Sequence, residues 1–277
     1  MQKVLFAFLV STMSFGVFAQ ANVLATQVGT STVNWSGTSY LSYESNLYKK
    51  SSINSKSATS VGLTLNYHVK DAHIIRGSFS AEQEHTQQER SRLNDGFLAW
   101  VNNSFWRRGK LLTIGQQVRT NVSLSEESRV RDQKNIGVAL IPSFVFNLTP
   151  VGLTGVTFIY QPQAVRNFHQ YKQNREYKNN VAYGVSHSMI LSWSMTDKLY
   201  LQPAFIYGSS WSYGNTKKDD NYSFITELGY SIKNNITLAA GLSSDGAIRN
   251  FQNGNDQTVQ FYNKNTASVY SALYYVF

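Results

Sequence analysis

Cysteine is absent from the chain, so it has neither a disulfide framework nor thiolate chemistry. Proline is scarce, with four in 277 residues, and charged side chains make up 15%, against roughly 25% in soluble domains. Long apolar runs are missing as well. Beyond the N-terminus no stretch reaches the ~18 apolar residues of a spanning helix. The richest, Ile136 to Phe146, is short and carries Pro142. There is no Cys/His cluster at metal-ligand spacing and no glycine-rich phosphate loop. The reading therefore assigns no cofactor, no metal site and no catalytic residue, and a helical membrane protein does not fit.

Aromatic residues are plentiful: 17 Tyr, 16 Phe and 5 Trp, or 14% of the chain. With abundant Ser, Asn and Thr they point to strands joined by polar loops. The mean hydropathy is −0.30, as expected of a barrel with a polar inside. The formal net charge is +9, and the loops are basic. Gln161 to Asn180 holds Arg166, His169, Lys172, Arg175 and Lys178 against Glu176 alone, and Glu44 to Lys56 holds Lys49, Lys50 and Lys56. Such a field steers anions and is attracted to acidic glycolipid.

Residues 1–19 read as a signal peptide. Lys3 supplies the positive n-region, Val4 to Val10 extended by Met13 to Phe18 supplies the apolar core, and Val17-Phe18-Ala19 supplies the cleavage triplet. Cleavage is expected after Ala19, with Ala21 as runner-up. The export signal argues against nucleic acid as a partner.

Downstream, side chains alternate with period 2 in about twelve segments. The clearest is Val181 to Trp193, where Val181, Tyr183, Val185, Met189, Leu191 and Trp193 share a face opposite Ala182, Gly184, Ser186, Ser188 and Ser192. Connections alternate between short and long. Short turns fall at Lys70–His73, Arg107–Lys110, Thr149–Gly152, Met195–Lys198 and Lys233–Asn235. Long loops fall at Glu44–Lys56, Glu82–Asn94, Thr120–Asn135, Gln161–Asn180, Gly214–Asn221 and Ser243–Asn263. Ten or fourteen strands stay open if a weak pair near Gly96 to Arg119 is split or merged. The last nine residues, Val269 to Phe277, alternate to the terminal carboxylate, with Leu273, Tyr275 and Phe277 on one face.

This ending resembles the closing strand of Gram-negative outer-membrane β-barrel proteins, porin-like and of about twelve strands; the subfamily is not identified. The resemblance implies an all-β fold, a transmembrane antiparallel up-and-down barrel over residues 20–277. It also implies location in the outer membrane, contact with outer-membrane lipid and lipopolysaccharide, and recognition of Phe277, Tyr275 and Leu273 by the barrel-assembly machinery. The oligomeric state stays open.

With the apolar face toward lipid, the other face is the lumen, where Gly62, Gly115, Gly137, Gly155, Gly184, Gly208, Gly229 and Gly241 fall. This one-sided bias suggests tight curvature or room for bulky neighbours; the space left is read as an open pore or a seat for an inward-folded loop. Lumen charges are Arg76, Arg119, His68, Lys70, Glu82 and Glu227, with cations in excess. The pore-lining candidates are Arg76, Arg119, His68, Glu227, Trp100, Tyr40 and Tyr270. Arg76 is the leading selectivity residue, since cationic rings favour anions; its alternative is a plain ion pair with Glu227. Trp100, Tyr40 and Tyr270 offer either a stacking surface for solute or simple lumen packing.

Ser186-His187-Ser188 is a poor match to a hydrolase pair, since both serines are adjacent to His187. A nucleophile and its base need hydrogen-bond reach, and neighbours on one strand point to opposite faces. The function expected is passive diffusion of small hydrophilic solutes with a mild anion preference. The alternatives are a phospholipase-like lipid-modifying enzyme and a structural or adhesive barrel with a plugged lumen.

Overall fold

The computed structural model describes residues 34–48, 55–70, 72–85, 90–218, 220–250, 255–256, 262 and 266–277. The signal-peptide reading falls outside these. Fourteen strands follow in chain order: β1 (Trp35–Asn46), β2 (Ser57–Lys70), β3 (His73–Glu84), β4 (Ser91–Leu93), β5 (Gly96–Arg108), β6 (Leu112–Val122), β7 (Lys134–Asn147), β8 (Val156–His169), β9 (Val181–Ser194), β10 (Leu199–Ser212), β11 (Asp220–Lys233), β12 (Ile236–Asn250), β13 (Asn255–Asp256) and β14 (Ala267–Val276). Twelve are long. Each pairs antiparallel with its neighbour, and β14 pairs with both β12 and β1, so the sheet closes on itself. Closure removes every free edge, which is how a chain ending on an apolar strand avoids exposing an unpaired ladder. The two short strands are side pairings: β4 on β3 beyond a break at Asn94–Asp95, and β13 on β12.

The closing seam explains the C-terminus. Phe277 exchanges both backbone hydrogen bonds with Gly37, at 2.7 and 3.0 Å. Its ring lies over Gly37, where a Cβ would stand 2.4 Å from the ring, and stacks on Tyr275 at 5.9 Å.

The alternation of short and long connections holds. The strands, however, run further into the polar stretches than the pattern indicates: β8 reaches His169, not Gln161, and β12 reaches Asn250, not Ser243. Near the long-loop end a strand can carry polar residues on both faces, so its alternation fades while the ladder continues. Outward side chains form the expected apolar band, with Trp35, Tyr67, Phe146, Phe158, Trp193 and Tyr230 toward the short-turn end and Tyr43, Phe168, Tyr183 and Trp211 toward the long-loop end. This two-girdle distribution suits a spanning barrel.

Strand β5 faces the opposite way from the sequence reading. Phe97, Ala99 and Val101 point inward and Leu98 and Trp100 outward. Trp100 lies in register between Ile75 and Val118, both exposed on the outer wall, and stacks on His73 at 5.5 Å. It does not line the lumen. Apolar residues on both faces of β5 made its parity ambiguous; pairing with β3 and β6 decides it.

Several irregularities interrupt the ladder, most of them near strand ends. A bulge lies between Asn102 and Trp106. The β7–β8 register passes from Leu140↔Ala164 to Phe144↔Tyr160 with Pro142 and Pro162 opposite each other between them, and the β9–β10 register skips across Pro203. Proline has no N–H to donate, so these positions leave the ladder without changing its register.

Candidate functional site

Inward side chains come from alternate positions of every long strand. On β2, β3, β5, β6 and β7, register aligns Asn66, Arg76, Ala99, Arg119 and Ala139 in one row across the wall. The two arginines thus flank Ala99, one strand to either side, and the small side chain leaves room for both. Arg76 Nε donates to Asn66 Oδ1 at 2.7 Å. Arg119 reaches across Ala139 to Gln163 Oε1 at 3.3 Å and lies over the Phe97 ring at 5.1 Å. Neither joins an ion pair among the described residues, and Arg76 Nη2 and Arg119 Nε are buried with no hydrogen-bond partner in the protein. Two like charges thus stand one strand to either side of Ala99 with donors to spare.

The facing wall is built differently. Glu227 on β11 is 0% exposed and accepts three phenolic hydrogen bonds: from Tyr200 at 2.7 Å, Tyr270 at 3.1 Å and Tyr274 at 3.0 Å. The proposed Arg76–Glu227 pair therefore does not form. Four tyrosine rings lie on cross-strand glycines: Tyr40 over Gly62, Tyr200 over Gly229, Tyr270 over Gly241 and Tyr222 over Gly246. At Gly62, Gly229 and Gly241 the inner glycine is thus room for a bulky neighbour. Tyr40 is half-buried and tilts against Tyr274 at 6.4 Å, and Tyr270 is buried. Ile159, Ile190, Ala204, Ile206 and Ile225 fill the wall beside Tyr270.

As a result the lumen is nearly filled at this level. Gln202 is 0% exposed and Arg76 2%. A cavity of about 20 Å³ lies beside Arg76, lined also by Val101, Gln117, Ile141, Ser143 and Gln161 on the β3 and β5–β8 side. That holds a water or two and no sugar-sized solute. The charge balance also shifts. Alternation places Glu44 on β1 and Asp245 on β12 inward beside Glu82 and Glu227, so cations do not outnumber acids over the whole lumen. The excess is local to the Arg76–Arg119 row. Glu82 is paired with Arg92 at 2.5 Å.

His68 faces inward near the short-turn end, 3.0 Å from Ser36 Oγ. Among the described residues no acid orients its ring. His187 stays on the outer face of a regular strand, with no bulge to turn it. It stacks between Tyr160 (6.0 Å) and Tyr207 (6.3 Å), with Tyr160 Oη 2.8 Å from Nδ1. Ser186 and Ser188 are buried on the other side.

Among the described residues no group of three or more His, Asp or Glu could hold a metal ion. At the long-loop end Asp95 gathers the 123–128 segment, accepting from Leu124 N, Ser125 N, Ser125 Oγ and Ser128 Oγ at 2.6–3.2 Å. Sequence reasoning missed Asp95 and the tyrosine cage; both depend on partners about 30 or more residues away.

No family model matches the chain, and no curated protein matches it. Solved structures share its fold. The NanC porin aligns with a TM-score of 0.55 at 8% identity, covering 87% of this chain and 98% of its own. The COG4313 outer membrane channel from Pseudomonas putida F1 aligns with a TM-score of 0.57 at 12% identity, covering 88% and 95%. At these identities the likeness is one of fold: a closed twelve-strand antiparallel barrel of the outer-membrane type.

Proposed function

We propose that this barrel is a narrow outer-membrane channel for small hydrophilic solutes, preferring anions at the Arg76–Arg119 row. The observation that carries the reading is the pair of guanidiniums flanking Ala99, Arg76 buried and Arg119 half-buried, each with an unmatched buried nitrogen and, among the described residues, no ion-pair partner. The fold shared with a porin and a channel supports it, as does a barrel interior that is polar along most strands. The long loops then face the outside and the short turns and both ends of the barrel chain the periplasm. Solute passage along this wall requires the Arg76, Gln117 and Gln161 side chains to swing, because the cavity beside Arg76 is far smaller than a solute. A low unitary conductance follows.

The test is single-channel recording of the refolded mature chain in a planar bilayer under a salt gradient. Small, steady conductance with a reversal potential of anion sign is expected. Arg76→Ala and Arg119→Ala should each enlarge the conductance and move the reversal potential toward cations. Silence from folded, heat-modifiable protein would overturn the channel and favour a second reading, a structural barrel, which the filled interior around Glu227 supports. A lipid hydrolase finds no support at His187, whose neighbouring serines face the opposite side.

A further inference from the structure

Arg166 is set on the wrong face of β8 for a pore residue. It is exposed on the outer wall, in register between Val138 and Tyr183, and Ala164 and Phe168 flank it on the same face. Phe168, one step nearer the long-loop end, is itself exposed at 45%. The apolar band therefore extends past Arg166, and the cation sits within the girdle rather than above it.

The guanidinium is held in place. It lies over two rings, 5.8 Å from the centre of Tyr183 and 5.3 Å from that of Tyr213. Both rings are locked. Tyr183 stacks on Trp211 at 5.3 Å and donates to Asn215 Oδ1 at 3.2 Å. Tyr213 Oη accepts the His169 N–H at 3.0 Å and donates to the Asn167 carbonyl at 2.9 Å. Ring contacts hold the cation without an acceptor atom, and among the described residues no acceptor takes the Arg166 N–H groups. Among the described residues no ion pair uses Arg166, while three acids of this end are engaged elsewhere: Asp132 with Arg131, Glu176 with Lys178, and Asp220 with Lys217. A charge on the lipid face is unfavourable without a counter-ion.

We propose that Arg166, clamped by Tyr183 and Tyr213, is a binding site for the phosphate of a phosphorylated glycolipid in the outer leaflet. The free edge of the guanidinium matches a phosphate bidentately, at the depth where such headgroups lie. The proposal rests on the outer-membrane placement but not on conduction, and Arg166→Gln should leave the conductance unchanged.

The test is lipid retention by the refolded full chain in native mass spectrometry, with bis-phosphorylated lipid A, its dephosphorylated form and inorganic phosphate as probes. Arg166→Gln should lower affinity for the bis-phosphorylated lipid about tenfold, while Arg107→Gln at the opposite end of the barrel should not. The dephosphorylated lipid should bind weakly and equally to wild type and variant. Retention by Arg166→Gln within twofold of wild type, or tight binding of the dephosphorylated lipid, would overturn the site. Displacement of the lipid by inorganic phosphate would also overturn it, making the ligand a soluble anion. Heat-modifiable mobility checks that each variant is folded.

Discussion

The tyrosine cage around Glu227 offers a quantitative test of what holds the barrel shut. Glu227→Ala removes an acceptor that serves Tyr200, Tyr270 and Tyr274 at 2.7–3.1 Å. The rings cannot turn to water. Tyr200 and Tyr270 lie on Gly229 and Gly241, and Tyr270 and Tyr274 are 6% and 5% exposed. A buried polar group that loses its partner costs about 1–3 kcal/mol. Three such losses, shared in one network, give a destabilisation of about 3–6 kcal/mol. The cage joins β10 and β11 to the closing strand β14, so the loss falls on the wall beside the seam. Urea unfolding of the refolded protein in lipid, followed by tryptophan fluorescence, measures it. The discriminating control is Glu227→Leu combined with Tyr200→Phe, Tyr270→Phe and Tyr274→Phe. Replacing acceptor and donors together by apolar groups is nearly neutral, so the quadruple variant should regain most of the stability lost by Glu227→Ala. A Glu227→Ala barrel within about 0.5 kcal/mol of wild type, the range of an ordinary surface change, would refute the reasoning.

Other outcomes follow from the same geometry. Gly241→Val should destabilise by about 1–3 kcal/mol, because its Cβ would stand 2.4 Å from the Tyr270 ring; Tyr270→Ala in that background should recover part of the loss in thermal unfolding. Deleting Phe277 removes both backbone bonds to Gly37 and the stacked ring, and should lower the heat-modifiable fraction recovered from membranes. Asp95→Ala unhooks the 123–128 segment, so limited proteolysis should cut there faster while the barrel's urea midpoint hardly moves. His187→Ala should change neither conductance nor any phospholipid turnover, since its ring serves an outer aromatic stack.

Much of the architecture was legible because it rests on local periodicity. Val181 to Trp193 alternates so regularly that its faces can be assigned without a neighbour, and the placement of Ser186, Ser188 and His187 follows from parity alone. The rhythm of short and long connections, the strand number and the aromatic closing residue are one-dimensional properties too. A spanning strand must alternate because one face meets lipid and the other the lumen.

What the tertiary structure decided are the properties that depend on a partner across the sheet. Trp100 faces lipid because Ile75 and Val118 do, and nothing within Phe97 to Phe105 says so. Arg76 does not meet Glu227: they stand on different walls, and three tyrosines from β10 and β14 reach the acid first. The inward glycines suggested space but not its occupant, because whether a ring or water lies over a glycine depends on the residue one strand away. Alternation fixes which side of the wall a residue occupies; only register around the closed barrel fixes what it touches there.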